Sequence, residues 1–348
     1  MMGDRQSQKS GDSSTNYQAQ RDIVVYGPSV TEVREIAMDV FKANFYELSE
    51  KAYKDVFVRA GAFADAFLTK AMEDGQEKIP EAENPDFQYA LFSAQREYAR
   101  VGDEDLGELL VQLLVDRSKI EDRTLIQIVL NQSLAVAPML TPEQLDALTL
   151  IFLINHTINN SLSTLARFHW YLDNYILPFV PGVSAKYSAY QHLEFARCGA
   201  ITIGETQIEE AFRMRYMGLL CKGFTEEEAQ TVDLTPEARS QLIVPCLHNN
   251  ALYQVNALND GVIDSKCAEL GVEPEKVERL KSLQIHKVLP LHEIKEYVIS
   301  TRPQTARLFE VWDSTLMNSM TLTSVGIAIA DANLKRRTGI SFDLSTWI

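Results

Sequence analysis

From residue 29 onward, apolar residues recur at spacings of three and four, beginning with Val33, Ile36 and Ala37. This spacing places apolar side chains on one face of a helix, and it continues to about residue 72. Residues 29–32 read Ser-Val-Thr-Glu, a capping-box sequence whose hydroxyl and carboxylate satisfy free amides of a first helical turn. This stretch is therefore predicted to be an amphipathic helix, either continuous or interrupted at Gly61, since a glycine costs a helix only about 1 kcal/mol.

Later helices are marked by capping residues that precede proline, which fits the first helical position. These pairs are Asn84-Pro85, Thr141-Pro142 and Thr235-Pro236. Together with apolar periodicity, they predict helices at residues 85–101, 103–117, 123–137, 141–158, 161–177, 185–197, 205–221, 236–259, 274–284, 290–299 and 303–334. The predicted fold class is mainly α: a multi-helix bundle in two lobes, with a short N-terminal β arm and one small strand or hairpin near residues 200–204.

Strand-like alternation occurs at residues 17–25, inside a polar N-terminal stretch, and again at residues 199–204. One short strand is marginal by itself, so we expect residues 22–26 to pair with residues 199–204. Two prolines and a glycine at residues 178–184 interrupt helix and indicate a joint. The predicted organisation is a polar arm with a short strand at 1–27, an N-terminal helical lobe at 28–180 and a C-terminal helical lobe at 181–348.

The net charge of -15 argues against general binding to nucleic acid or anionic membranes, which attract positive surfaces. The basic run Lys335-Arg336-Arg337 is interpreted as cations in the last turn of a helix. The most apolar stretch, residues 145–154, is shorter than the roughly 20 residues of a membrane-spanning helix. No secretory leader is visible, so we expect a cytoplasmic protein without a membrane span.

No motif in the sequence predicts catalysis or metal binding. The P-loop, dinucleotide-binding, zinc-protease and EF-hand patterns are absent, and the four cysteines are too far apart for a zinc framework. Each cysteine is interpreted as a small buried apolar residue. We therefore expect no cofactor and no bound metal, and we assign no catalytic residue.

The polar arm and the chain end supply the candidate interaction residues. A lone strand in a polar arm needs a partner, which favours a homo-oligomer or a protein partner bound through this arm. A tryptophan in the penultimate position either packs on the body or occupies a groove of a partner. The candidates are Asp12, Asn16, Gln18, Asp22, Ile23, Val25 and Trp347.

Residues 190–204 combine a helix end, Gly199 and a short strand, as in the passage from helix to wing in winged-helix domains. Such domains often bind DNA, but the acidic residues Glu205, Glu209 and Glu210 follow directly. DNA binding needs basic residues at that face. A turn of this shape that contacts protein is the favoured interpretation.

Both ends of the chain carry a resemblance. Residues 11–25, GDSSTNYQAQRDIVV, and residues 322–336, LTSVGIAIADANLKR, followed by the ending DLSTWI, resemble an uncharacterised bacterial protein family. The resemblance includes residues 190–199, YQHLEFARCG. Some proteins with a similar N-terminal element are associated with mobile-element conflict and phage defence, and the chain is also loosely similar to Abi-alpha abortive-infection proteins. The resemblance implies a bacterial origin and no established activity.

The leading hypothesis is a non-catalytic helical interaction protein, acting as a sensor, adaptor or effector-associated component in bacterial anti-phage defence. The first alternative is an enzyme with an unrecognised active site, such as a nuclease or a nucleotide-processing enzyme. It requires clustered carboxylates or histidines with perturbed pKa values. The second alternative is a winged-helix-like DNA-binding regulator.

Overall fold

The computed structural model describes residues 28–44, 50–76 and 78–348, which form sixteen α-helices and two antiparallel pairs of strands. The first helices are α1 Val30–Asn44, α2 Glu50–Glu73, α3 Pro85–Val101, α4 Glu104–Ser118, α5 Leu125–Val136, α6 Pro142–Ile151 and α7 Leu165–Tyr171. The next elements are α8 Tyr187–Phe195, β1 Gly199–Ile201, α9 Ile208–Arg215, α10 Glu226–Gln230, α11 Pro236–Leu242, β2 Ile243–Pro245 and β3 Tyr253–Val255. The last are α12 Asp260–Glu269, α13 Pro274–His286, α14 Leu291–Thr301, α15 Thr305–Ser314, β4 Met320–Leu322 and α16 Ser324–Thr338. The mainly α prediction is confirmed.

Several helices begin where the capping signals predict. At the start of α1, the Ser29 N–H donates to Glu32 Oε2 at 2.7 Å. The Asn84 side chain accepts a hydrogen bond from the backbone of the first turn of α3, and the Thr235 side chain does the same for α11. Each bond spans two or three residues, so these starts depend on local sequence alone.

The predicted helix at 236–259 is wrong beyond its first two turns. After α11, strands β2 and β3 form an antiparallel pair in which Ile243 lies opposite Val255. Ile243 and Val244 are β-branched and favour extended backbone, and Pro245 has no N–H to continue a helix. The apolar spacing that indicated a helix belongs here to two short strands.

The predicted helix at 303–334 is also wrong, because it contains two helices separated by β4. The Thr323 side chain accepts the Gly326 N–H at 3.2 Å and starts α16 as its N-cap. The predicted helix at 205–221 is shorter in the structure, where α9 ends at Arg215. Gly61 lies inside α2, so the helix is not interrupted at that residue.

Strand β1 pairs with β4, with Gly199 opposite Leu322 and Ile201 opposite Met320. The sequence favoured residues 22–26 as the partner, and these lie outside the described residues. Among the described residues the partner strand is β4, which is more than a hundred positions away. Local alternation predicts a strand but carries no information about so distant a partner.

Helix α16 is the centre of the main hydrophobic core. Residues 325–334 are all buried, and the helix packs against α4, α5 and α6. A helix that is apolar on all sides is stable only when neighbouring elements surround it. The last helix of the chain is thus enclosed by helices from the first half.

The predicted placement of Lys335, Arg336 and Arg337 in the last turn of a helix is confirmed. All three cations also pair with carboxylates of the first half. Lys335 Nζ lies 2.9 Å from Asp74, Arg336 Nη1 lies 2.8 Å from Asp105, and Arg337 Nη1 lies 2.6 Å from Asp146. These ion pairs connect the end of α16 to neighbouring elements, so all three basic side chains have partners within the protein.

A second hydrophobic cluster forms the core of an inserted unit, residues 221–288. Its buried members include Phe224, Leu242, Ile263 and Leu280. The chain enters and leaves this unit side by side: Cys221 and Val288 form an antiparallel bridge, and the Lys222 N–H donates to the Lys287 carbonyl at 2.7 Å. The main cluster draws residues from both sides of positions 180 and 181, so the predicted lobe boundary stays a prediction.

Gly326 gives a test of how closely α16 packs against the junction of α8 and β1. A Cβ added at Gly326 would lie 1.8 Å from the Cys198 carbonyl oxygen, so backbone would have to move. We expect Gly326→Ala to lower the free energy of unfolding by about 1–3 kcal/mol, measured by chemical denaturation. The matched control is Gly61→Ala in α2, where a Cβ meets no atom within 4 Å. The free energy of unfolding of this control should rise by about 0.5–1 kcal/mol. Equal effects of the two substitutions would contradict the close packing of Gly326 against Cys198.

Candidate interaction surface

Helix α8 divides into a buried side and an exposed side. Tyr190 and Leu193 are fully buried, and the Tyr190 hydroxyl donates to the Ser184 carbonyl at 2.7 Å. Phe195 lies five residues after Tyr190 and two after Leu193, which places it on the opposite side of the helix, and Tyr187 is the first residue of the helix. The Phe195 side chain is 75% exposed and Tyr187 is 55% exposed. The helix thus presents two aromatic rings to solvent.

The turn after α8 is held in a fixed conformation. Arg197 adopts a positive φ of 61°, an uncommon value for a residue other than glycine. Its carbonyl accepts the Thr323 hydroxyl at 2.6 Å, and the carbonyl of the next residue, Cys198, accepts the Thr323 N–H at 3.0 Å. The N-cap residue of α16 therefore fixes the turn that leads from α8 into β1.

The loop after β1 is equally constrained. The Thr202 N–H donates to the Ser319 carbonyl at 2.8 Å, and the Thr206 N–H donates to the Asn318 carbonyl at the same distance. The buried Trp312 indole N–H donates to the Thr206 carbonyl at 2.6 Å. Between these anchors the Ile203 side chain is fully exposed. A rigid loop therefore holds a large apolar side chain in water.

Tyr187, Phe195 and Ile203 together form what we call the α8 surface. The Ile201 N–H donates to Glu194 Oε1 at 2.9 Å, which joins the loop of Ile203 to the last turn of α8. Single exposed apolar residues are common on proteins, but grouped ones on fixed backbone mark contact sites. Because the side chains are already held in place, a partner loses little conformational freedom by binding them.

A groove of about 870 Å³ borders this surface on the other flank of α8. Its lining includes Met139, Lys186, His192 and Arg307. Met139 adds a further exposed apolar side chain, and the His192 ring stacks near Phe195 with centroids 6.2 Å apart. The groove and the α8 surface thus offer apolar area with cationic side chains at its edge.

The sequence indicated a contact turn in this segment but did not distinguish Phe195 or Ile203 as exposed residues. Alternation placed Ile203 in the strand, whereas β1 ends at Ile201. In a wing hairpin β1 would pair with the next segment of chain, whereas here it pairs with the distant β4. An apolar residue between Thr202 and Gly204 was the signal for an exposed tip, but only the structure shows its exposure.

Trp347 lies against the body. Its indole N–H donates to the His156 carbonyl at 3.1 Å, and its ring contacts Phe152 and Phe342 at centroid distances of 5.1 and 5.9 Å. His156 ends a π-helical turn, Phe152–His156, so this bond satisfies a carbonyl at a helix end. The other candidate residues all lie outside the described part of the chain: Asp12, Asn16, Gln18, Asp22, Ile23 and Val25.

The four cysteines are explained by their burial. Burial raises the pKa of the Cys198 thiol to about 12 and that of the Cys221 thiol to about 11, so both are protonated near neutral pH. All four cysteines are buried and free, as predicted. Within residues 28–44, 50–76 and 78–348, no group of three His, Cys, Asp or Glu residues is placed to hold a metal ion.

Comparisons with known proteins place the chain in a family. One protein-family model matches residues 27–348. The chain belongs to this uncharacterised family. No curated protein and no solved structure matches the sequence. The family match confirms the expectation of an uncharacterised family, whereas the similarity to Abi-alpha proteins stays a prediction. None of the helices that the structure describes is long and apolar enough to cross a membrane.

The tail that carries Trp347 is anchored by Asp331, a buried carboxyl on α16. The Phe342 N–H donates to Asp331 Oδ1 at 2.9 Å. Burial, together with the charge of Asp116, raises the pKa of Asp331 to about 7, although the Phe342 N–H and Lys335 act in the opposite direction. The native state therefore keeps a proton that the unfolded chain releases near pH 4.

Asp331 should make stability depend on pH. Since its folded pKa is raised, its contribution is complete below about pH 4 and is lost as pH rises through about 7. Asp331→Asn keeps an oxygen acceptor for Phe342 and carries no charge. We expect its free energy of unfolding, relative to the unsubstituted protein, to rise between pH 5 and pH 8 by on the order of 2–4 kcal/mol. Parallel pH profiles from urea denaturation of the two proteins would contradict this.

Proposed function

We propose that this chain is a non-catalytic helical interaction protein that binds a protein partner through the α8 surface. The observation that carries the proposal is the exposure of Phe195 and Ile203 on backbone that hydrogen bonds hold in place. Interfaces gain most of their binding energy from a few large side chains, and aromatic residues are prominent among them.

At the α8 surface the proposed partner is a different protein. The groove beside the α8 surface is lined by Lys186 and Arg307 and by one acidic residue, Glu143, and this excess of positive charge suits a partner with acidic groups around an apolar centre. Charge at the edge then sets the orientation, while the apolar side chains supply affinity.

The wider context is proposed on the resemblance of the chain ends alone. We propose that the protein is a sensor, adaptor or effector-associated component of anti-phage defence in the bacterial cytoplasm. Residues 11–27 are the proposed second attachment point, through which the chain forms homo-oligomers or contacts a partner. An enzyme with an unrecognised active site stays the alternative to this proposal.

The double variant Phe195→Ser with Ile203→Ser tests the proposal directly. Both side chains are exposed, so we expect a change in unfolding free energy within about 0.5 kcal/mol. Partner binding should fall at least tenfold, because the apolar centre of the contact is removed. The measurement is affinity capture of the tagged protein from its native host, before and during phage infection, with quantitative mass spectrometry.

The matched control is Tyr89→Ser with Val58→Ser, since these side chains are 71% and 70% exposed on α3 and α2. A partner that is recovered in near-stoichiometric yield with the unsubstituted protein and the control, but not with the α8 variant, supports the proposal. Partners that persist equally with all three proteins place the contact elsewhere. Recovery of the protein alone in both states argues for a small-molecule binder or an enzyme.

Deleting residues 1–27 tests the arm separately. We expect the deletion to change the assembly state in sedimentation velocity or to remove at least one captured partner. The α8 surface should remain intact, because its described contacts come from residues 184–323. An unchanged assembly state together with an unchanged set of partners would show that the arm is not an attachment point.

A further inference from the structure

A second groove, of about 680 Å³, lies where the inserted unit meets the main body. Its walls come from both parts. The body contributes residues around α9 and the segment before α7, including Ile158 and Met214. The inserted unit contributes the start of α12 and the end of α13, including Asp260 and Ile285. Grooves between two packed units are common binding sites, because both walls are preformed.

Several apolar residues in the lining of this groove are exposed. Met214 is 65% exposed, and Ile158 and Ile285 are each 47% exposed. Met217 and Val288 line the groove as well. Three large apolar side chains exposed in one concavity are unfavourably hydrated, which is typical of a binding site. The flexible methionine side chain can adapt to partners of different shape.

One charge in this groove stands without an opposite charge. Of the three charged residues in the lining, Glu210 and Arg213 pair with each other, with Arg213 Nη1 3.5 Å from Glu210 Oε2. The third is Asp260, whose Oδ1 is buried and has no hydrogen-bond partner among the described residues. Its place at the first residue of α12 stabilises the negative charge but gives Oδ1 no donor. Because Asp260 lines the groove, a cationic group of a bound segment would balance the charge of its carboxylate.

Hydrogen bonds and close backbone packing hold the junction beside the groove. The Gly218 N–H donates to the Leu258 carbonyl at 3.0 Å, and a Cβ at Gly218 would lie 2.0 Å from the Ala257 carbonyl oxygen. The Asn259 side chain donates to the Arg215 carbonyl at 3.3 Å. These contacts fix the two walls relative to each other, so the groove exists before any partner binds.

We propose that this groove binds an amphipathic segment of another protein that places a lysine or arginine against Asp260 and apolar side chains against Met214 and Ile285. The charge of the lining selects a basic segment over an acidic one. The occupant is a different protein, and binding of a second copy is an outcome that the test distinguishes. The groove shares no lining residue with the α8 surface, so the two sites are tested independently.

The test uses a library of random 12-residue peptides displayed on phage, selected against the full-length protein. The double variant Met214→Gln with Ile285→Gln serves for counter-selection, since both residues are exposed and glutamine keeps helix propensity. We expect enriched peptides to combine apolar residues with a lysine or arginine. Fluorescence anisotropy with the most enriched peptide should show binding at least tenfold weaker to the double variant and several-fold weaker to Asp260→Asn.

Control measurements separate this site from others. Val58→Gln, a substitution at an exposed apolar residue of α2, should bind the peptide as the unsubstituted protein does, and Phe195→Ser with Ile203→Ser should do the same. Added salt should weaken binding to the unsubstituted protein more than to Asp260→Asn. Enriched peptides without basic residues, or affinities independent of Met214 and Ile285, would overturn the proposal. So would concentration-dependent dimers that the double variant abolishes, because the groove would then bind a second copy.

Discussion

The burial of α16 is the interaction on which the rest of the structure depends. This helix has no solvent-facing stripe along residues 325–334, so it is stable only inside the ring formed by α4, α5 and α6. Its last turn then pairs with carboxylates on three separate parts of the first half, among them Asp74 and Asp146. The N-terminal helices and the end of the chain therefore form one folding unit.

The position of α16 also fixes the elements around the α8 surface. Thr323 begins α16 as its N-cap and at the same time binds the turn at Arg197 through its hydroxyl. The close approach of Gly326 to the Cys198 carbonyl allows β4 to reach β1. The positions of Phe195 and Ile203 thus depend on the same packing of α16 that stabilises the core.

The inserted unit has a different relation to the body. It has its own hydrophobic cluster, and the chain enters and leaves it through one antiparallel bridge between Cys221 and Val288. Near Gly218 its contacts with the body include one backbone hydrogen bond, from the Gly218 N–H to the Leu258 carbonyl, and one side-chain bond, from Gln254 Nε2 to the Gly218 carbonyl. The groove lined by Met214, Asp260 and Ile285 is the result of that arrangement.

The sequence by itself determined the fold class and the helix starts at Ser29, Asn84 and Thr235, because capping bonds and apolar periodicity act within a few residues of the chain. It also indicated a strand after Gly199 and the helical position of Lys335 to Arg337. It identified neither the β1–β4 pair nor the interruption of helix at residues 315–323, since both depend on partners far away in sequence. Only the tertiary structure decided that Ile203 is exposed and that Met214 and Asp260 share a groove. Exposure and shared walls are properties of how distant elements pack, and no local pattern of residues encodes them.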